Sequence, residues 1–276
     1  MITDETSALS NGVSIPKFAL GTWLMGNEEA KHASAAALKM GYRHIDTAQA
    51  YGNEQGVGRG VRESGVPRGE IFVTTKVQAE IKDYDTAAQS IDKSLGDLNM
   101  DYADLIIIHC PQPWAEFRNP KKRYFEENRQ VWKALEDAYK AGKTKSIGVS
   151  NFLTDDMENI MQGCEIRPMV NQILAHIGNV PFDILEFCGK NSIAVEAYSP
   201  IAHGAALNND SVRDMAEKYG VSAAQLCLRY DLQLNMIVLP KTSNPEHMAD
   251  NLKVDFTISD DDMRTLSSVR GLEQLW

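Results

Sequence analysis

Short apolar, β-rich runs alternate along this chain with stretches in which apolar positions recur every three or four residues. The runs predict strands at Phe18 to Gly21, Arg43 to Asp46, Ile71 to Lys76, Leu105 to His109, Ser146 to Ser150, Met169 to Gln172, Ala194 to Tyr198 and Ile237 to Pro240. The spaced stretches predict helices that include Glu28 to Met40, Thr86 to Leu98, Phe125 to Ala141, Ser222 to Leu234 and Ser259 to Val269. Eight strands alternating with helices fit one domain over residues 1–276, an α/β fold of the (β/α)8 TIM-barrel class. A doubly wound sheet gives a similar string but needs a G-x-G-x-x-G loop after its first strand. The nearest match, Gly56-Val57-Gly58-Arg59-Gly60, has the wrong spacing, follows no strand directly and falls where the second barrel helix is expected, between Asp46 and Ile71, where glycines serve close packing. Ahead of the barrel, Asn11-Gly12 predicts a small β-hairpin with a two-residue type I′ turn.

Composition narrows the function classes. With 43% hydrophobic and 24% charged residues, the chain can bury roughly three quarters of its unfolded surface, so a disordered chain is not expected. It has no apolar run of about 18 residues, and its acidic start, Met1-Ile2-Thr3-Asp4-Glu5, lacks the blocks of a signal peptide. A cytoplasmic protein without membrane partners is expected. A net charge of −10 argues against nucleic-acid binding, which needs a basic surface. The cysteines, Cys110, Cys164, Cys188 and Cys227, are scattered without a C-x-x-C pair, so neither a structural zinc site nor a disulfide framework is expected.

Four polar residues then stand out. Asp46, Tyr51, Lys76 and His109 lie at or just after the ends of predicted strands, roughly one strand-helix unit apart. A parallel barrel gathers its chemistry at the carboxyl ends of its strands, so these four are expected to share one site. A tyrosine with a pKa of about 10 is a slow acid unless a cation stabilises its phenolate. Lys76 is the candidate cation, Asp46 the carboxylate that orients it, and His109 a donor that can aim and polarise a carbonyl. Together they suit protonation of an oxyanion formed by hydride attack.

At these residues the chain resembles the aldo-keto reductase family, from about Ile15 to Leu252, and within it the small bacterial-type members acting on diketogluconate and aldehydes. The motifs are Gly21-Thr22-Trp23, Ile45-Asp46-Thr47-Ala48 through Tyr51-Gly52-Asn53-Glu54, Gly148-Val149-Ser150-Asn151-Phe152, Val170-Asn171-Gln172, Ala197-Tyr198-Ser199-Pro200 and Leu239-Pro240-Lys241, in the family's order. The resemblance implies NADPH-dependent reduction of carbonyl compounds, with Tyr51 as general acid, Lys76 and Asp46 tuning it, and His109 orienting the substrate. It further implies that Ser150, Asn151 and Gln172 bond the nicotinamide carboxamide and that Tyr198 stacks on its ring. Gly21, Thr22, Trp23, Asp46, Ser199, Pro200, Ile201, Lys241, Thr242, Ser243, His247, Asp250 and Asn251 complete the implied cofactor set.

Three departures bear on specificity. Cys110 replaces the family's usual tryptophan after the histidine, which predicts a wider or differently shaped pocket lined by Trp23, Tyr51, His109, Cys110 and Trp114. After Gln172 the chain reads Ile173-Leu174-Ala175-His176-Ile177, away from the family's usual loop. His247 stands where NADPH-preferring members carry an arginine; a mostly neutral imidazole weakens the hold on a 2′-phosphate, so NADPH is preferred with appreciable use of NADH. The end at Trp276, soon after the last predicted helix, predicts little of the carboxyl-terminal loop that walls longer members' pockets, hence broad specificity. The expected partner is a small-molecule carbonyl substrate, and the expected state a monomer or weak dimer. Two alternatives compete: a nucleotide-sensing subunit without turnover, and a metal-dependent hydrolase using His44, Asp46 and His109, whereas the main reading needs no metal.

Overall fold

The computed structural model describes residues 1–272; Trp276, on which the expectation of a short tail rests, lies outside the described residues. A hairpin of β1 (Thr6–Ala8) and β2 (Ser14–Pro16) precedes an eight-stranded parallel sheet. The sheet runs in chain order through β3 (Leu20–Gly21), β4 (His44–Asp46), β5 (Phe72–Val77), β6 (Leu105–Ile108), β7 (Ile147–Ser150), β8 (Val170–Leu174), β9 (Ala194–Tyr198) and β10 (Ile237–Leu239). Parallel bridges Phe18–Val238 and Gly21–Lys241 join its two ends, with Ala19 N–H donating to Val238 O at 2.9 Å, so the sheet closes into the expected (β/α)8 barrel. All eight predicted strands are present, most of them trimmed or shifted by a residue or two at their ends.

The predicted helices also appear, as α1 (Asn27–Lys39), α3 (Tyr84–Leu98), α4 (Phe125–Lys140), α8 (Ala223–Gln233) and α10 (Asp260–Ser267). α3 starts two residues before the predicted Thr86 because the Asp83 carboxylate accepts the Thr86 N–H at 2.8 Å and caps it. The remaining helices are α2 (Glu54–Glu63), α5 (Thr154–Met161), α6 (Phe182–Lys190), α7 (Asp210–Tyr219) and α9 (Pro245–Asn251). Among the described residues no helix is long and apolar enough to cross a membrane.

The Gly56-Val57-Gly58-Arg59-Gly60 run lies inside α2. A Cβ on Gly56, Gly58 or Gly60 would stand 2.1, 2.0 or 2.4 Å from the carbonyl oxygens of Asn27, Leu98 and Lys31. These glycines let α2 approach α1 and the end of α3 to backbone contact, the packing role expected of them.

The hairpin departs from expectation. Only Gly12 of the Asn11-Gly12 pair has a positive φ, at +85°, whereas type I′ geometry needs both. Leu9 N–H donates to Val13 O and Gly12 N–H to Leu9 O, which makes a three-residue loop, Ser10-Asn11-Gly12, ending in a left-handed glycine. The Asn11 side chain decides this: its Oδ1 accepts from Val13 N–H, and its Nδ2 donates to Lys145 O beside the start of β7. The hairpin thus ties to the amino ends of the strands, with Leu9 and Ile15 buried in the core there. The opposite, carboxyl end is left open for a site.

Candidate active site

At that open end lies a cleft of about 750 Å³. β4 and β5 place Asp46 and Lys76 side by side at its floor, because both are inward-facing residues near the carboxyl ends of paired strands. Lys76, with no exposed surface, donates to Asp46 Oδ1 at 2.6 Å, Thr47 O at 2.9 Å and Tyr51 Oη at 3.3 Å. Its ammonium also sits 4.8 Å from the centre of the Tyr51 ring. The His109 ring meets Tyr51 edge-on at 5.6 Å and Trp114 at 5.1 Å. The four strand-end residues therefore come together.

The Tyr51 loop is stitched down by its own motif. Asn53 accepts the Thr47 hydroxyl at 2.6 Å and donates to Thr22 O and Met25 O, binding the loops after β3 and β4 together. The buried Glu54 carboxyl accepts from Thr75 on β5 at 2.6 Å. Tyr51-Gly52-Asn53-Glu54 is thus one device: two residues anchor the loop, and the tyrosine is held over Lys76.

Burial dominates the electrostatics. It pushes the Tyr51 hydroxyl above its ordinary pKa, against the pull of Lys76, so the phenol keeps its proton at neutral pH. The ammonium acts in the expected direction, toward the phenolate, but opposes a larger desolvation effect. Burial also acts to lower Lys76, but Asp46 and Tyr51 outweigh it and the ammonium is held above its usual range. Burial, helped by Lys76, lowers His109 well below 6.5, so its imidazole is neutral. Its Nδ1 is buried and has no hydrogen-bond partner among the described residues.

The cofactor candidates divide into three groups. Gly21, Trp23, Asp46, Ser150, Asn151, Gln172, Tyr198, Ser199, Pro200, Ile201 and Lys241 line the cleft. Gln172 donates from Nε2 to Asp46 Oδ2 at 3.0 Å and Glu196 Oε2 at 2.8 Å, and its Oε1 accepts no hydrogen bond among the described residues. Asn151, at φ +63°, donates to His109 O and accepts from the Tyr198 hydroxyl at 2.7 Å. In the second group, Thr242, Ser243, His247, Asp250 and Asn251 follow Lys241 but do not line the cleft; His247 is exposed on α9 and Asp250 pairs with Lys253 at 3.3 Å.

The third group is Thr22 alone, a correction, and the substrate-pocket candidate Cys110 joins it as another. Thr22 is wholly buried and gives its hydroxyl to Asp46 O at 2.9 Å, so it braces the floor rather than facing a ligand. Cys110 is likewise wholly buried and absent from the cleft wall, because the turn into Pro111 takes it into the interior. The wall beside His109 is instead Trp114, which is 36% exposed. The Ile173-Leu174-Ala175-His176-Ile177 stretch extends β8 and then turns through a His176–Asn179 bridge.

Sequence reasoning missed Leu24, Ala50 and Leu239 as cleft-lining residues, while His203 and Gly204, which also line it, fall in the 200–205 segment expected to embrace the cofactor. Leu24, Ser199 and His203 share a positive φ, of 61°, 53° and 50°, a strain that concentrates around functional clefts. The His203 ring meets Trp23 edge-on at 5.3 Å, linking the loops after β3 and β9. Only the glycine in Ser199-Pro200-Ile201-Ala202-His203-Gly204 signals such a turn in advance.

His44, Asp46 and His109 do not form a metal site among the described residues. His44 Nε2 is engaged by Thr74 Oγ1 at 2.9 Å, and Asp46 is spent on Lys76 and Gln172.

The comparisons agree with this geometry. The profile of the Aldo/keto reductase family matches residues 17–270. A glyoxal reductase of Bacillus subtilis is 39% identical over 273 residues, 98% of this chain and 95% of that protein. An aldehyde reductase of Saccharomyces cerevisiae is 37% identical, over 97% of this chain and 91% of its own. The crystal structure of an aldo/keto reductase from Brucella melitensis superposes with a TM-score of 0.88 at 37% identity, covering 95% of this chain and 98% of that one. That of a Bombyx mori aldo-keto reductase in complex with NADP gives 0.87 at 30%, covering 98% and 95%. The chain belongs to the aldo/keto reductase family.

Proposed function

We propose that this protein reduces aldehydes and ketones to alcohols with NADPH, and that Tyr51 supplies the proton. The observation that carries the reading is Lys76, held between the Asp46 carboxylate and the Tyr51 hydroxyl at 2.6 and 3.3 Å on the floor of the cleft. The residues present suit a nicotinamide. Gln172 Oε1 is an unused acceptor for an amide N–H, Ser150 and Asn151 flank it, and the Tyr198 ring lines the same wall. Lys241 offers a cation at the edge nearest Gly21, in the region where barrels place phosphate sites. NADPH, when bound, supplies the hydride.

The chain's own residues do the rest. The neutral His109 donates a hydrogen bond to the carbonyl oxygen, fixing its direction and drawing electrons toward it. The Tyr51 hydroxyl gives its proton to the oxygen as negative charge develops there. Lys76 stabilises the phenolate left behind, and Asp46 keeps the ammonium aimed. Trp23, Leu24, Ala50 and Trp114 form an apolar wall that suits uncharged substrates, in keeping with the glyoxal and aldehyde reductases it resembles.

NADPH is the preferred cofactor and NADH a usable one, because Lys241 remains as a cation while the residue on α9 is His247 rather than arginine. We further read the protein as cytoplasmic and as a monomer or weak dimer. The test is NADPH oxidation with simple aldehydes by wild-type protein and Tyr51→Phe. The variant is expected to lose roughly 10²- to 10⁴-fold in kcat while binding NADPH normally. Near wild-type turnover by Tyr51→Phe overturns the assignment, and tight NADPH binding without turnover in the wild type points to a sensing subunit.

A further inference from the structure

Beneath the cleft floor lies a second polar layer that the reaction does not use directly. Glu196, on β9, pairs in register with Gln172 on β8 and has no exposed surface. Its Oε2 accepts from Gln172 Nε2 at 2.8 Å, while its Oε1 has no hydrogen-bond partner among the described residues and lies 3.8 Å from His44 Nε2. Gln172 Nε2 is therefore shared between two carboxyl groups, Glu196 below and Asp46 alongside. Reversing that amide would set its oxygen against the Asp46 carboxylate, which has no proton to give it.

We propose that Glu196 is a positioning residue for the reduction: it holds the Gln172 amide with Nε2 inward and Oε1 toward the cleft, and steadies Asp46 under the Lys76–Tyr51 pair. The proposal rests on reading the cleft as a nicotinamide site.

The charged and titratable groups around Glu196 are His44 and Asp46 from β4 and Lys76 from β5; β8 adds the uncharged Gln172, and β10 faces it with the apolar Ile237–Leu239. Burial, reinforced by Asp46, lifts the Glu196 carboxyl to about 8, so it is uncharged at neutral pH. His44 is held down at about 3 by burial and cannot serve as a counter-ion. Ionising Glu196 would add a second negative charge beside Asp46, making Tyr51 a weaker acid. Reduction should then fall on the alkaline side through Glu196 itself.

The test uses Glu196→Leu and Glu196→Gln in the full chain, with NADPH binding read by protein fluorescence and kcat read against pH. Leucine removes the acceptor, and NADPH should bind roughly three- to ten-fold more weakly, the loss of about one hydrogen bond. Glutamine keeps an acceptor oxygen and should restore the dissociation constant to within about two-fold of wild type. Having no ionisable group, it should also move the alkaline fall in kcat, expected near pH 8 in wild type, upward by about one unit or more. Wild-type binding by Glu196→Leu, or a wild-type pH profile in Glu196→Gln, overturns the proposal. If the leucine variant does not fold, the profile of the glutamine variant decides alone. Wild-type protein that binds no NADPH overturns the cofactor reading and this proposal with it, whereas sound wild-type binding with unchanged variants overturns only this proposal.

Discussion

The floor and the rim of this cleft are built on opposite principles. On the floor and directly beneath it, Asp46, Lys76, Gln172 and Glu196 are at most 3% exposed, and each is joined to another by hydrogen bonds of 2.6 to 3.0 Å. At the rim, Trp23, Leu24 and Trp114 are 39%, 72% and 36% exposed, and Lys241 and His247 reach into solvent. Charges on the floor act at short range in a dry setting, so they shift proton affinities strongly. Charges at the rim are screened by water and salt, and each alters binding only modestly. The floor therefore governs the reaction, while the rim selects what enters.

The sharpest way to break this division is Lys76→Met. It leaves the Asp46 carboxylate buried without its cation, which should destabilise the protein by about 3–5 kcal/mol in urea unfolding. It should also lower kcat by at least about 10², since Tyr51 loses the group that stabilises its phenolate. A stable, active Lys76→Met protein would show that the floor is not under electrostatic control.

Trp114→Ala tests the rim. Losing the aromatic wall beside His109 should raise KM for apolar aldehydes by roughly ten-fold or more with kcat little changed. A kcat loss as large as that of Lys76→Met would erase the distinction between wall and floor. The smallest effect is expected from His247→Arg. A permanent charge on the exposed start of α9 should favour NADPH over NADH by roughly two- to five-fold, and the gain should shrink as salt rises. A salt-independent gain would mean that this residue is drawn into a buried contact when the cofactor binds.

Much of this was legible beforehand, and for identifiable reasons. Leu105-Ile106-Ile107-Ile108 is apolar on both faces because a barrel strand is covered by helices outside and side chains inside, so strands of this kind announce themselves. Asp46, Lys76 and His109 announce themselves too, since polar residues ending such runs have no solvent face to occupy. Misreadings arose where a side chain chose between two local environments. Cys110 and Thr22 sit beside cleft residues in the sequence, but only packing reveals that both turn inward. The Asn11-Gly12 turn was misjudged because Asn11 reaches Lys145, 134 residues away.

The order of apolar and polar positions determined that this chain alternates eight strands with helices and that Asp46, Tyr51, Lys76 and His109 stand at or just after strand ends, because strand periodicity and strand ends are local properties. Tertiary structure alone decided which groups are dry. Burial holds the proton on Tyr51 against the pull of Lys76, keeps His109 neutral, and sets Glu196 beneath Gln172 as an uncharged acid. Desolvation depends on every neighbour in space at once, and no pattern along the chain records it.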